Sequence, residues 1–274
     1  APAFKEAFDD FKPKANINNV QFTSFDGTTA KFDFPEHWFV ATRYDFDYFL
    51  YQQANSLPNV DYILGEQITK VECSAQAVTV QTDKARIFKA KLLIGSDGAT
   101  SIVRRQLLDY QASAPTQVAA VRAYYSGVTG VKTDTFEFHY LSEYKSGYFW
   151  IFPLGENKVN VGLGLLASDV KEKGIKLREV LLSLVHTHPR FKQRFENAEL
   201  QGEVQGWSIP VGYQSHPKSG ERFMLVGDAA SVADPFSGEG IGQAVVTGRM
   251  AAFHAKKCFE KNDFSENIMK EYEK

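Results

Sequence analysis

Two runs toward the carboxyl end of the chain carry residue types that could hold a ligand. They are Arg222-Phe223-Met224-Leu225-Val226-Gly227-Asp228-Ala229-Ala230 and Asp234-Pro235-Phe236-Ser237-Gly238-Glu239-Gly240-Ile241-Gly242. Phe223 to Val226 is an apolar run of the kind that makes a buried parallel strand, and Gly227-Asp228 ends it. A carboxylate there sits at the carboxyl end of a strand, where open α/β sheets hold ligands. Gly238, Gly240 and Ile241 bring backbone amides to the start of a helix, where the dipole favours an anion or an electron-rich ring edge. Pro235 fixes the loop entering that face. The competing reading is a strand, turn and helix that bind nothing.

A second constellation lies upstream, Lys91-Leu92-Leu93-Ile94-Gly95-Ser96-Asp97-Gly98-Ala99-Thr100-Ser101-Ile102-Val103-Arg104. It reads as strand, Asp-Gly turn and helix. Asp97 can accept from turn amides or from a ribose hydroxyl, and Gly98 permits the tight backbone. Ser101 stands at a helix N-cap position, and Arg104 can reach back over the turn. A third run, Tyr148-Phe149-Trp150-Ile151-Phe152-Pro153, puts Tyr148, Trp150 and Phe152 on one face of a strand. That face either walls an apolar channel or packs into a core. Gly162-Leu163-Gly164-Leu165-Leu166-Ala167 imitates a dinucleotide fingerprint, but the alternation of Lys158-Val159-Asn160-Val161 before it points to strand glycines. His186 and His188, two apart before Pro189, mark a helix end rather than a metal site.

These groups must be positioned by two kinds of element. Phe8 and Phe11 fit a short helix stopped by Pro13. The runs Val20 to Phe25 and Thr29 to Phe34 flank Asp26-Gly27, a strong hairpin signal. His37 to Ala41 reads as a strand, and Thr42 can cap a helix carrying Phe46, Phe49, Leu50 and Ala54. Tyr62 to Thr82 reads as short strands around a turn, Lys91 to Ile94 as a buried strand and Ile102 to Leu108 as a helix. Val118 to Leu166 alternates aromatic and β-branched residues, as in a half-buried antiparallel sheet. Residues 169–186 and 190–197 read as helices, Val204 to Val211 as a returning strand and Gly240 to Phe259 as a helix. The order, α/β elements, a block of strands and α/β again, predicts an inserted sheet domain.

The chain has 274 residues, a formal net charge of −2, 22 Phe, 12 Tyr and two cysteines, Cys73 and Cys258. That charge gives no footprint for nucleic acid, and two cysteines without ligand spacing indicate neither a disulfide framework nor zinc. A cytoplasmic protein is expected. No run approaches the roughly 18 apolar residues of a membrane span, which leaves peripheral membrane contact open.

Taken together, the runs around Asp97, Asp228 and Trp150 resemble FAD-dependent oxidoreductases of the geranylgeranyl reductase family, relatives of the flavin hydroxylases. The resemblance implies an α/β fold: an incomplete FAD/NAD(P)-binding parallel-sheet domain (43–111 and 206–274) with an inserted, mostly antiparallel substrate-binding sheet (15–42 and 112–205). It implies that Asp228 bonds a ribityl or ribose hydroxyl. Gly227, Pro235, Gly238, Gly240 and Ile241 would shape the pyrophosphate and ring-edge site, with Asp97, Gly98 and Arg104 bracing the pyrophosphate near a nicotinamide donor. Arg43 would contact the flavin phosphates, and a backbone contact to the adenine end would fall at or near Gln67. The hexad matches the family's Tyr-x-Trp-x-Phe-Pro pattern, with Tyr148, Trp150 and Phe152 walling an isoprenoid channel and Pro153 ending the strand at the flavin. Tyr148 and Phe152 depart from the Trp-x-Trp-x-Ile-Pro pattern of flavin halogenases.

The implied reaction is hydride addition from reduced FAD to an isoprenoid carbon–carbon double bond, with NAD(P)H as a candidate electron donor. The alternatives are an FAD-dependent monooxygenase, halogenase or epoxidase, and a flavin-free lipid-binding module. The family's opening strand with Gly-x-Gly-x-x-Gly and its Cys-Gly segment are not in this sequence, so an internal fragment of a longer protein is expected. The oligomeric state and the proton donor are left open.

Overall fold

The computed structural model describes residues 2–12, 14–110, 117–212 and 216–274. The expected helix stop at Pro13 and the expected boundary between 111 and 112 lie outside them. In chain order the elements are α1 (Pro2–Asp9), β1 (Ala15–Thr23), β2 (Thr29–Val40), α2 (Arg43–Asn55), β3 (Ile68–Cys73), β4 (Val78–Thr82), β5 (Ile87–Ala90), β6 (Leu93–Gly95) and α3 (Ile102–Leu107). There follow β7 (Gln117–Ser126), β8 (Thr135–His139), β9 (Gly147–Gly155), β10 (Lys158–Leu166), α4 (Ala167–Glu172), α5 (Leu177–Thr187) and β11 (Glu199–Pro210). The chain closes with β12 (Ser219–Gly220), β13 (Phe223–Leu225), a 3-10 turn (Gly227–Ala230), α6 (Ile241–Lys261), α7 (Glu266–Met269) and a second 3-10 turn (Lys270–Glu273). The architecture is α/β. The chain divides into two compact units, Ala1–Tyr62 with Ala119–Trp207, and Ile63–Val118 with Ser208–Lys274.

The first unit is built on a seven-stranded sheet in the order β11-β7-β10-β9-β8-β1-β2. β1 and β2 form the hairpin expected around Asp26-Gly27, with Thr23 opposite Thr29 and Gly27 at φ +90°. β8 and β9 and then β9 and β10 pair antiparallel, and β1 pairs with β8 in parallel. One face is the core: Phe149, Ile151, Leu163 and Leu165 pack with Leu181, Leu184 and Val185 of α5 and with Phe191 and Phe195. Each such side chain contributes about 1.5–3 kcal/mol by leaving water.

Residues 190–197 are successive turns and not the expected helix. Arg194 N donates to Phe191 O and Phe195 N to Lys192 O, so the spacing of Phe191 and Phe195 serves turns. α2 also departs from the expected division, which places residues 43–62 with the nucleotide-binding part. Its Phe46 and Phe49 pack on Phe8, Phe11 and Phe39 of the sheet unit, with Phe11 and Phe49 ring centres 4.9 Å apart. Thr42 caps the helix as expected, its hydroxyl oxygen accepting from Asp45 N at 3.1 Å.

The second unit holds two small sheets. β3, β4 and β5 form an antiparallel meander whose third strand is not separable in the sequence from the following run. The other sheet has the order β12-β13-β6 and contains a parallel pair, Phe223 opposite Leu93 and Leu225 opposite Gly95. β13 is fully buried, as expected, while Ile94 of β6 is 40% exposed. Tyr272 donates its hydroxyl hydrogen to Leu225 O at 2.8 Å and anchors the chain's last turn under β13. Among the described residues no helix is long and apolar enough to cross a membrane.

Candidate functional site

β6 and β13 run side by side, so the Asp97 and Asp228 turns emerge from the same end of one sheet. Val226 N donates to Gly95 O at 3.0 Å, carrying the pairing up to both turns. Gly98 and Gly227 adopt φ +74° and +55°, a region that glycine enters without a Cβ penalty.

Arg104 locks the two turns together. It is 1% exposed, and its guanidinium donates to Asp228 O (3.1 Å), Ala229 O (2.8 Å), Ser231 Oγ (2.9 Å) and Ala99 O (2.6 Å). Burial draws its pKa below the usual guanidinium value, with Tyr110 and Asp97 opposing the shift. These donors are used within the protein, so Arg104 acts by holding the loop that presents Asp228. Asp97 is likewise committed to its own turn. It accepts from the Ser101 hydroxyl at 2.6 Å and from the amides of Ile102 and Val103 at 2.7 and 3.1 Å, capping α3.

The 3-10 turn after β13 ends at Ser231, in the left-handed region at φ +53°. The following loop folds around Asp234, whose Oδ1 accepts from Phe236 N, Ser237 N and the Ser237 hydroxyl at 2.7 to 3.1 Å. Those bonds, led by the Ser237 amide, hold the Asp234 carboxyl below its usual range. Gly238 takes φ +71°, and a side chain at Gly240 would come within 3.3 Å of Asp228 Oδ1. A cavity of about 260 Å³ opens here, lined by Gly212, Lys218, Gln243 and the loop from Ser231 to Pro235.

Sequence reasoning misses Lys218, Ser231 and Gln243, because none belongs to a motif; only the fold brings them to this loop. At the start of α6, Glu239 Oε1 accepts from Gly242 N at 2.6 Å, and Ile241 is 45% exposed. A carboxylate at that helix start disfavours a second anion there.

Three further expected site residues have partners of their own. Arg43 opens α2 in the first unit, and its side chain pairs with Asp47 at 2.9 Å in solvent. Gln67 donates its amide to Asp83 Oδ1 and accepts from Asp83 N, so the expected backbone contact to an adenine lacks a free N–H. Pro153 does not end β9: it is buried inside the strand opposite Val159, beside a register shift between Lys158 and Val159 that accommodates a residue without N–H. It therefore lies on the core face, opposite Tyr148, Trp150 and Phe152.

Those three rings do share the other face, with centres 6.0 Å apart along the row. Trp150 lies over Gly162, where a Cβ would stand 2.1 Å from its Cζ2 atom and 2.4 Å from Val121 O. This close approach explains the glycine that imitates a dinucleotide fingerprint. Gly162→Ala should destabilise the fold by about 1–3 kcal/mol through overpacking and turn the indole from its seat. Urea unfolding with tryptophan emission checks this, and an unchanged midpoint would contradict it.

The core face holds a buried charge cluster. Arg194 forks onto Glu137 at 2.9 and 2.8 Å, and His139 Nε2 lies 3.5 Å from Glu137 Oε2. Burial pushes Glu137 upward, but contact with His139 and the Arg194 fork outweigh it and hold the carboxyl at about 2. Burial lowers His139, against the pull of Glu137. The cluster ties the turns at 190–197 to β8. Among the described residues no group of side chains is arranged to hold a metal ion.

The fold is that of flavoproteins. It is similar to a geranylgeranyl bacteriochlorophyll reductase-like protein of Thermoplasma acidophilum, with a TM-score of 0.79 and 22% identity over 94% of this chain and 66% of that one. It is also similar to the flavin-dependent brominase Bmp2, with a TM-score of 0.82 and 20% identity over 100% of this chain and 71% of that one. Residues 119–202 match the family model for the geranylgeranyl reductase catalytic domain. Digeranylgeranylglycerophospholipid reductase 1 of Methanococcoides burtonii is 32% identical over 194 residues, 70% of this chain and 45% of the relative. The Thermoplasma acidophilum digeranylgeranylglycerophospholipid reductase is 32% identical over 187 residues, 68% and 46% of the two chains. The chain belongs to the geranylgeranyl reductase family, and it spans about half the length of the curated relatives it matches.

Proposed function

We propose that this chain supplies the substrate sheet and one side of the flavin site in an FAD-dependent reductase acting on isoprenoid carbon–carbon double bonds. The observation that carries the reading is the convergence of the Asp97 and Asp228 turns at one end of the β6–β13 pair, beside the cavity at Ser231 to Pro235. The residues suit a flavin nucleotide: an acceptor at Asp228, a glycine at 240 where a Cβ would stand 3.3 Å from Asp228 Oδ1, and Lys218 and Gln243 on the cavity wall. Reduced flavin, when bound, supplies the hydride equivalent. The polypeptide's part is to hold the ribityl or ribose hydroxyl on Asp228, fix that loop through Arg104, and present a dry aromatic face to an apolar chain.

The names of the curated relatives support an isoprenoid lipid substrate. The solved structure of a mutant of the halogenase PltM in complex with FAD, similar at a TM-score of 0.78 and 14% identity over 98% of this chain and 58% of that one, supports FAD as the flavin. Tyr148 and Phe152, at positions where the halogenase pattern has Trp and Ile, favour reduction over halogenation.

Asp228→Ala is expected to weaken FAD binding by the value of a charge-assisted hydrogen bond, about 1.5–3 kcal/mol, or roughly tenfold or more in Kd. Titration with FAD followed by flavin fluorescence tests this. Equal affinity of variant and parent would contradict the assignment of Asp228, and a colourless protein that takes no FAD but retains an isoprenoid lipid would favour a lipid-binding module instead.

A further inference from the structure

The Tyr148-Trp150-Phe152 row is one edge of a wider aromatic surface. Across the strands, Phe22 of β1 stands opposite Phe138 of β8, Phe138 opposite Trp150 of β9, and Trp150 opposite Gly162 of β10. A neighbouring register sets Phe32 opposite Val20 and Val20 opposite Phe136. The rings touch in a continuous net. Phe138 is its hub, with centres 5.2 Å from Phe22, 5.1 Å from Tyr148 and 5.2 Å from Phe152, while Phe136 lies 4.5 Å from Phe152 and 6.4 Å from Trp38. The charged residues of β8 point the other way, Glu137 and His139 being buried on the core face. The Trp150 indole N–H is already given to Asn160 Oδ1 at 3.2 Å.

This surface therefore offers ring faces and edges and few hydrogen-bonding groups. A peptide or a second protein surface laid on it would bury main-chain N–H and C=O groups without partners, at a cost of about 1–3 kcal/mol for each unmet group. A hydrocarbon chain carries no such groups, and flat unsaturated segments stack on rings. At about 4.8 Å per strand, the span from β2 to β10 is roughly 19 Å, which suits an extended chain and far exceeds one isoprene unit.

We propose that Phe138 and Phe22, with Phe136 beside them, form the floor of the isoprenoid-binding surface beyond the hexad, and that they set its preference for long chains. This rests on the isoprenoid reading of the site. The test uses the chain carrying Trp207→Phe, which removes the exposed tryptophan of β11 and leaves Trp38 and Trp150 as reporters. Tryptophan emission is titrated with geranylgeraniol and with the shorter geraniol.

The expected result is binding of geranylgeraniol by the Trp207→Phe chain, weakened about tenfold by Phe138→Ala, because the ring that shields the hydrocarbon from water is gone. Phe22→Ala should weaken geranylgeraniol several-fold more than geraniol. Where Phe138→Ala fails to fold, Phe138→Leu and Phe22→Leu, which keep most of the side-chain volume, should show the same order of preference. If the Phe138 and Phe22 variants bind geranylgeraniol as the parent does while Tyr148→Ala does not, the wider floor is wrong and the hexad reading stands. If the Trp207→Phe chain itself gives no response to geranylgeraniol, the isoprenoid reading fails and this proposal with it.

Discussion

Arg104→Met should be among the most damaging single substitutions in the second unit, lowering stability by at least about 3 kcal/mol. The arginine is buried with its guanidinium donating to three main-chain carbonyls and the Ser231 hydroxyl, and a hydrogen bond from a charged donor contributes about 1.5–3 kcal/mol net. Methionine fills similar space but leaves those acceptors without donors. Lysine keeps the charge but lacks the planar fork that reaches Ala99 on one side and Ala229 on the other, so Arg104→Lys should recover little. Chemical denaturation measures the loss, and a variant within about 0.5 kcal/mol of the parent, the usual range for an innocuous surface change, would show that the turns at Asp97 and Asp228 hold their places without the clamp.

Glu137→Gln should cost roughly 3–5 kcal/mol, because it leaves the Arg194 charge against the core face with its carboxylate partner gone. The same carboxyl predicts an acid limb. Its folded pKa of about 2 lies below the unfolded value of 4.5, so the unfolded chain takes up the proton first. The stabilisation is complete above pH 4.5 and is lost as pH falls toward 2, on the order of 3 kcal/mol in all. His139 adds an earlier step of the same sign: its folded pKa is lowered from 6.5, so stability begins to fall as pH drops below 6.5. Glu137→Gln should remove this carboxyl's share of the fall below pH 4.5. Unfolding free energies between pH 7 and 3 decide this, and parallel curves for variant and parent would contradict it.

Features of the fold are legible in the sequence where their signal is local. Asp26-Gly27 demands positive φ in a short space, so the hairpin is legible. Phe223 to Leu225 is legible because a strand buried on both faces needs an unbroken apolar run. The alternation in β8 and β9 shows which rings share a face, but not that Phe22 and Phe138 stand in one register. That register joins strands more than a hundred residues apart.

Where competing tertiary contacts decide, local patterns mislead. Phe191 and Phe195 have helical spacing, yet the Arg194 fork on Glu137 and a carbonyl drawn to Thr129 N hold the segment in turns. Pro153 looks like a strand end because it cannot donate, and the neighbouring register shift absorbs that defect. An arginine near a glycine turn resembles an anion ligand, which is why the sequence sets Arg104 beside a cofactor. Its carbonyl acceptors at Asp228 and Ala229, more than a hundred residues away, carry no sequence signature of their own.

The proposed reduction of isoprenoid double bonds with a reduced flavin has a direct test. The protein is incubated with FAD, dithionite and a digeranylgeranylglycerol lipid under strict exclusion of oxygen, and the lipid is then weighed by mass spectrometry. The expected outcome is a gain of two hydrogens for every double bond reduced, absent when FAD is omitted and lowered by Asp228→Ala. A lipid left unchanged without oxygen, but gaining oxygen or halogen once air and halide are admitted, would refute the reductase assignment.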